Sequence, residues 1–130
     1  MKYATSFILL VLLFACSSKL SEEEYYTKAK EFYSNQKFEE AVSNFKSLIE
    51  YYPKSKYAAE SMFLVGFIYA NDIKNYDEAK VYYEKFIATY PDNDLVDDAQ
   101  YELKNLGKDI NDLPIFQNAA ADSADTKTKK

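Results

Sequence analysis

Histidine and tryptophan are absent from these 130 residues, and cysteine occurs once. Without His the chain lacks the commonest general base and metal ligand near neutral pH, which excludes much catalysis. Glycine and proline are also scarce, at 2 and 3 residues, against plentiful Ala, Glu, Lys, Leu, Tyr and Phe. That balance argues for helices over a turn-rich sheet fold. A formal charge of −5 disfavours nucleic acid as partner, because phosphate binding draws on Lys and Arg that displace counterions, and the sequence has no basic stripe to steer it toward anionic lipid. What is present suffices for one small domain: 48% of the residues are apolar and 17% aromatic, enough to fill a core.

The apolar residues are unevenly spread. Lys2 supplies a positive start, Phe7 to Ala15 is wholly apolar, and Ser17-Ser18 returns the chain to water. A bilayer crossing needs about 20 helical residues, so this run is too short to span and suits the core of a secretory signal. It ends in Leu13-Phe14-Ala15-Cys16, which resembles a bacterial lipobox, with Leu at −3, a small residue at −1 and Cys at +1. The resemblance implies that residues 1–15 are removed and that Cys16 becomes an acylated N-terminus, a membrane attachment that needs no transmembrane helix. It also implies an outer-membrane destination, since Ser17 rather than Asp follows the cysteine. The alternative is an ordinary cleaved signal beside an incidental thiol.

Shifting the chain against itself by 38 positions reveals a repeat. Phe38 falls on Tyr76, Glu40 on Glu78, Ala41 on Ala79, Phe45 on Tyr83, Leu48 on Phe86, Ile49 on Ile87, Tyr52 on Tyr90 and Pro53 on Pro91. In both copies the small and apolar residues recur at steps of three and four, which places them on one helix face. Each run stops at Pro, which lacks the amide donor and disfavours helical geometry in the residue before it. Ser21 to Glu24 reads as a capping box and Asn75 to Glu78 as a looser cap. The spacing predicts five helices, over 21–34, 38–51, 56–71, 75–90 and 94–109, with short loops that force neighbours antiparallel. Tyr25, Phe32, Phe45, Tyr69, Tyr83 and Phe86 are expected to fill the space between them.

These residues resemble the tetratricopeptide repeat, a helix–turn–helix unit of about 34 residues. Tyr25, Ala29, Phe32, Ala41, Phe45 and Pro53 match its signature in a first unit; Val65, Gly66, Tyr69, Ala79, Tyr83 and Pro91 match in a second, with one extra residue near Asn71 to Lys74. A third unit has only its first helix, where Lys104 replaces the small residue, as suits an end cap. The resemblance implies an all-α superhelix of about two and a half repeats over 21–110, between a lipidated tether (16–20) and a disordered tail (111–130) that is too small and polar to bury a core. The "EYYPKSKYAAES" and "ATYPDNDLVDDAQY" stretches are similar to the repeats of envelope proteins, including the lipoprotein of the β-barrel assembly machinery and the Tol–Pal-linked division coordinator.

In this family the first helix of each unit lines a groove. Carried over residue by residue, the groove positions are Glu23, Tyr26, Lys30 and Tyr33, then Glu60, Phe63, Phe67 and Ala70, then Asp98, Tyr101, Asn105 and Lys108. Tyr26, Phe63 and Tyr101 would form an aromatic column beside an acidic one of Glu23, Glu60 and Asp98, a surface suited to an extended or helical peptide carrying basic residues. For Phe63, packing between helices is an equally open reading. Asp92 to Asp98 lacks the Gly turn and spaced Glu of a calcium loop and reads as a solvated helix start. No nucleophile–base pair or metal constellation is visible, so neither enzyme activity, cofactor nor metal is expected. The expected role is a scaffold for other cell-envelope proteins, lipid-anchored on the periplasmic side of the outer membrane. Self-association through the incomplete third unit, giving a homo-oligomer, is the alternative.

Overall fold

The computed structural model describes residues 19–108. The expected signal (1–15), Cys16, the first part of the tether and the tail at 111–130 lie outside those residues. Within them the chain forms α1 (Glu22–Ser34), α2 (Phe38–Tyr51), α3 (Ala58–Ile68), α4 (Tyr76–Thr89) and α5 (Val96–Asn105). This is the all-α stack expected: two helical hairpins and half of a third.

The starts follow from side-chain oxygens that take up orphan amides. The Glu24 amide donates to Ser21 Oγ at 3.2 Å while the Ser21 amide donates to the Glu24 carboxylate at 2.8 Å, completing the capping box. The Glu78 amide donates to Asn75 Oδ1 at 3.2 Å. Helices α3 and α5 each begin two residues later than the spacing predicts. The reason is the same in both copies: Ser55 Oγ accepts from the Tyr57 amide at 3.1 Å, and Asn93 Oδ1 from the Leu95 amide at 3.0 Å. Both turns are thereby held closed before the helix opens.

The first hairpin turns through a Schellman motif, in which the Lys37 amide bonds the Phe32 carbonyl and the Gln36 amide the Tyr33 carbonyl, both at 2.9 Å. Gln36 sits there at φ 58°, a left-handed conformation that costs a side-chain-bearing residue but not glycine. Gln36→Gly is therefore expected to stabilise the domain by about 0.5–1 kcal/mol, read as a higher urea midpoint with an unchanged m-value. The second hairpin must house one more residue. It does so by widening the end of α3 into a π turn over Tyr69–Ile73, closed by Lys74 at φ 62°, with the Asn75 amide reaching back to the Tyr69 carbonyl at 2.8 Å. At the far end α5 stops at Asn105 instead of running to 109, because Leu106 is extended and Gly107 takes φ 74°.

Helices α1, α3 and α5 lie in one layer and α2 and α4 in the other. The first buried cluster joins Ala29, Ala41, Val42 and Phe45 to Val65 and Ile68 of the following helix. The second joins Met62, Ala70, Ala79, Tyr83 and Phe86 to Ala99. Each hairpin is thus completed by the helix after it, as stacking requires. Of the expected core aromatics, Phe45, Tyr83 and Phe86 are fully buried, Phe32 and Tyr69 are half-buried against the core, and Tyr25 is half-buried beside Tyr51 and Tyr52.

Candidate functional site: the face of the odd-numbered helices

The surface shared by α1, α3 and α5 is tied together by polar side chains. Between α1 and α3, the Tyr26 ring stacks on Tyr57 at 4.4 Å and 15°, and its hydroxyl reaches the Glu60 carboxylate. Desolvation, reinforced by that carboxylate, raises the Tyr26 phenol well above its usual range, so the hydroxyl keeps its proton and can donate. The Lys30 ammonium lies 5.3 Å from the centre of the Tyr26 ring. Two turns further along from Tyr26, the Tyr33 hydroxyl faces the Asp72 carboxylate in the π turn. Between that turn and α5, Asn71 lies beside the Glu102 carboxylate. These contacts fix the stagger of successive hairpins.

Aromatic residues expected on this face divide between two environments. Phe63 lies 5.8 Å, ring to ring, from both Tyr83 and Phe86 of α4, and Phe67 stacks beside it at 6.5 Å. Both are half-buried, and Phe63 supports the second core cluster. Tyr101 is 56% exposed and, with Asn105, Ala70 and Lys108, lines a cleft of about 280 Å³ against Asn71 and Lys74. Asp98 and Glu23 are exposed and Glu60 is half-buried. Tyr26, Glu60 and Lys30 therefore form one cluster, Phe63 and Phe67 a second, and Tyr101 and Asn105 a third. No direct ring pair links Tyr26, Phe63 and Tyr101; Phe63 turns toward α4.

Four contributors escaped the sequence reading. Tyr57 precedes α3 in a turn, and its counterpart in the next repeat is Leu95, so no helical register points to it. Asn71 and Asp72 fall in the widened turn, which has no equivalent in the first unit. Glu102 is one position from Tyr101 and faces inward. Burial is the main cause that raises the Asp72 carboxyl above its ordinary range, against the pull of Lys74 and the Tyr33 hydroxyl, and Asp72 Oδ2 has no hydrogen-bond partner. An acid whose native pKa exceeds its unfolded value costs stability when ionised. That cost is present at neutral pH and fades as the pH falls toward the ordinary carboxylate range near about 4. Asp72→Asn should accordingly raise the denaturation midpoint at pH 7, and the gap to the parent protein should close on acidification to about pH 4.

Among the described residues no cluster of acidic or thiol side chains is placed to hold a metal, and no helix is long and apolar enough to cross a membrane. Compared with known families, the chain matches the family model YfiO, described as outer membrane lipoprotein, over residues 18–124. No match was found among curated proteins.

Proposed function

The chain belongs to the YfiO family of outer membrane lipoproteins, and on that premise we propose that it is a lipid-anchored scaffold that holds an extended or helical segment of another envelope protein against the face of α1, α3 and α5. In this reading residues 1–15 direct export and are removed, Cys16 carries the acyl chains, residues 16–20 are the tether, residues 21–110 form the binding domain on the periplasmic side of the outer membrane, and residues 111–130 are a tail without a packed core.

The observation that carries the binding surface is the exposure of Tyr101 beside Asn105 at the mouth of a cleft. A ring more than half in water adds little to folding, whereas under a ligand it provides contact area at low conformational cost. Asp98 and Glu23 flank the face with negative charge, which favours a basic partner segment. Phe63 packs α3 on α4 with Phe67 stacked beside it, so truncating the pair would confound binding with folding.

The discriminating variant is Tyr101→Ala combined with Asn105→Ala in the full-length lipidated chain. Affinity purification from solubilised envelopes should lose the partner retained by the parent protein, with the melting temperature nearly unchanged. Retention of the same partner by a folded double variant would remove this face as the site.

A further inference from the structure

The antiparallel helices bring the tether, the α2–α3 turn and the α4–α5 turn to one end of the stack. At that end the chain entering α1 does not hang free. Tyr52 donates its hydroxyl to the Leu20 carbonyl at 2.8 Å. Lys19 lies between two rings, its ammonium 4.5 Å from the centre of Tyr51 and 4.4 Å from that of Tyr52, and reaches the Tyr51 carbonyl at 3.4 Å. Beside this clasp is a cleft of about 490 Å³ walled by Ser21, Glu22, Tyr51, Tyr52, Pro53, Lys54 and Ser55. Tyr51 is 45% exposed.

The two corners of this end differ in charge. The first-repeat turn carries Lys54 and Lys56, joined by Lys19 from the tether, against Glu22 and Glu23, whose field reaches Lys56. The equivalent second-repeat turn carries Asp92 and Asp94 and no lysine. Folding thus gathers a small cationic, tyrosine-rich corner on an acidic protein, and it does so where the tether is clasped. Only Ser17 and Ser18 separate Lys19 from Cys16, a reach of at most about 11 Å over three residue steps.

We propose that this corner, made by Lys19, Tyr51, Tyr52, Pro53, Lys54 and Lys56, rests on the lipid surface in which Cys16 is anchored. The inference rests on the acylation of Cys16 put forward above. Tyrosine rings settle at the level of lipid headgroups, and lysines near the surface are drawn to anionic ones. The acidic corner is repelled from the same surface, so the stack leans on its first repeat and holds the odd-helix face at a fixed angle to the membrane.

Because the chain has no tryptophan, Tyr51→Trp and Asp92→Trp each introduce a single indole at opposite corners of one end. The full-length lipidated proteins are reconstituted into vesicles of phosphatidylethanolamine and phosphatidylglycerol with brominated acyl chains. Several-fold stronger quenching is expected for Tyr51→Trp than for Asp92→Trp, and adding Lys19→Glu with Lys54→Glu should bring the first down to the second. Equal quenching at both corners, or the reverse order, overturns the proposal. So does shielding of the Tyr51→Trp indole in whole envelopes but not in lipid vesicles, which would assign the corner to a protein. The mass of the N-terminal peptide from the same preparations separates the two readings. Acylated Cys16 with an unquenched indole rejects the docking corner alone, whereas a bare thiol rejects the anchor and the corner together.

Discussion

Tyr83→Ala is expected to cost about 3–5 kcal/mol and to leave the second hairpin largely unfolded. The Tyr83 ring is fully buried, touches Phe63 of α3 at 5.8 Å between ring centres, and lies against Gly66. Removing it opens a cavity between helices that cannot close without moving α3 on α4. For a domain of this size each kcal/mol is worth about 4–8 °C in melting temperature, so the loss should be plain in a thermal scan followed by circular dichroism. Tyr83→Phe should move the other way. The hydroxyl is buried without a hydrogen-bond partner, and an unsatisfied buried hydroxyl costs about 1–3 kcal/mol. Deleting it while keeping the ring should therefore leave stability unchanged or increase it. A large loss in Tyr83→Phe would show that the hydroxyl is satisfied in solution.

The second large effect is at Gly66. A Cβ built there would sit 3.0 Å from two ring carbons of Tyr83 and 3.3 Å from a third, closer than side chains normally approach. The ring is locked by burial and has little room to retreat. Gly66→Ala gains about 1 kcal/mol of helix propensity and loses more to this crowding. Gly66→Val adds two further carbons and is expected to cost about 3 kcal/mol. The cause is specific enough to be checked by a double-mutant cycle: Gly66→Ala should be less harmful in the presence of Tyr83→Leu, with a coupling of about 0.5–3 kcal/mol. Strict additivity would mean that the two residues do not press on each other.

Both of these positions were legible in the sequence, since Gly66 and Tyr83 fall on signature places of the repeat. Local chemistry explains why. A capping serine, a proline after a tyrosine and a small residue facing a ring each act over one or two turns, and α1, α2 and α4 accordingly begin and end within a residue of their expected limits. What the periodicity could not convey was anything set by a single irregular residue. The inserted position near Asn71 gave no sign of whether it would bulge outward or widen the helix, and the π turn that results is what carries Asp72 to Tyr33. The expected α5 runs through Gly107 to residue 109, whereas the left-handed backbone at Gly107 marks its end. The stacking of Tyr26 on Tyr57 depends on a turn residue outside any helical register.

The candidate face was legible by position but not by environment. Register placed Phe63 and Tyr101 at equivalent points of successive repeats, yet Phe63 packs against α4 while, among the described residues, no second helix of a third hairpin lies against Tyr101, which remains open. Burial of that kind depends on which neighbours exist, and a repeat signature says nothing about where the array stops.

Photo-crosslinking in living cells tests the scaffold reading most directly, with p-benzoylphenylalanine placed either at Tyr101, on the odd-helix face, or at Val81, on α4. The two positions are almost equally accessible, at 56% and 54%, so exposure alone cannot favour one. The account predicts a defined adduct with an envelope protein from position 101 and none from position 81. Adducts from position 81 alone, or equal labelling from both, would contradict it.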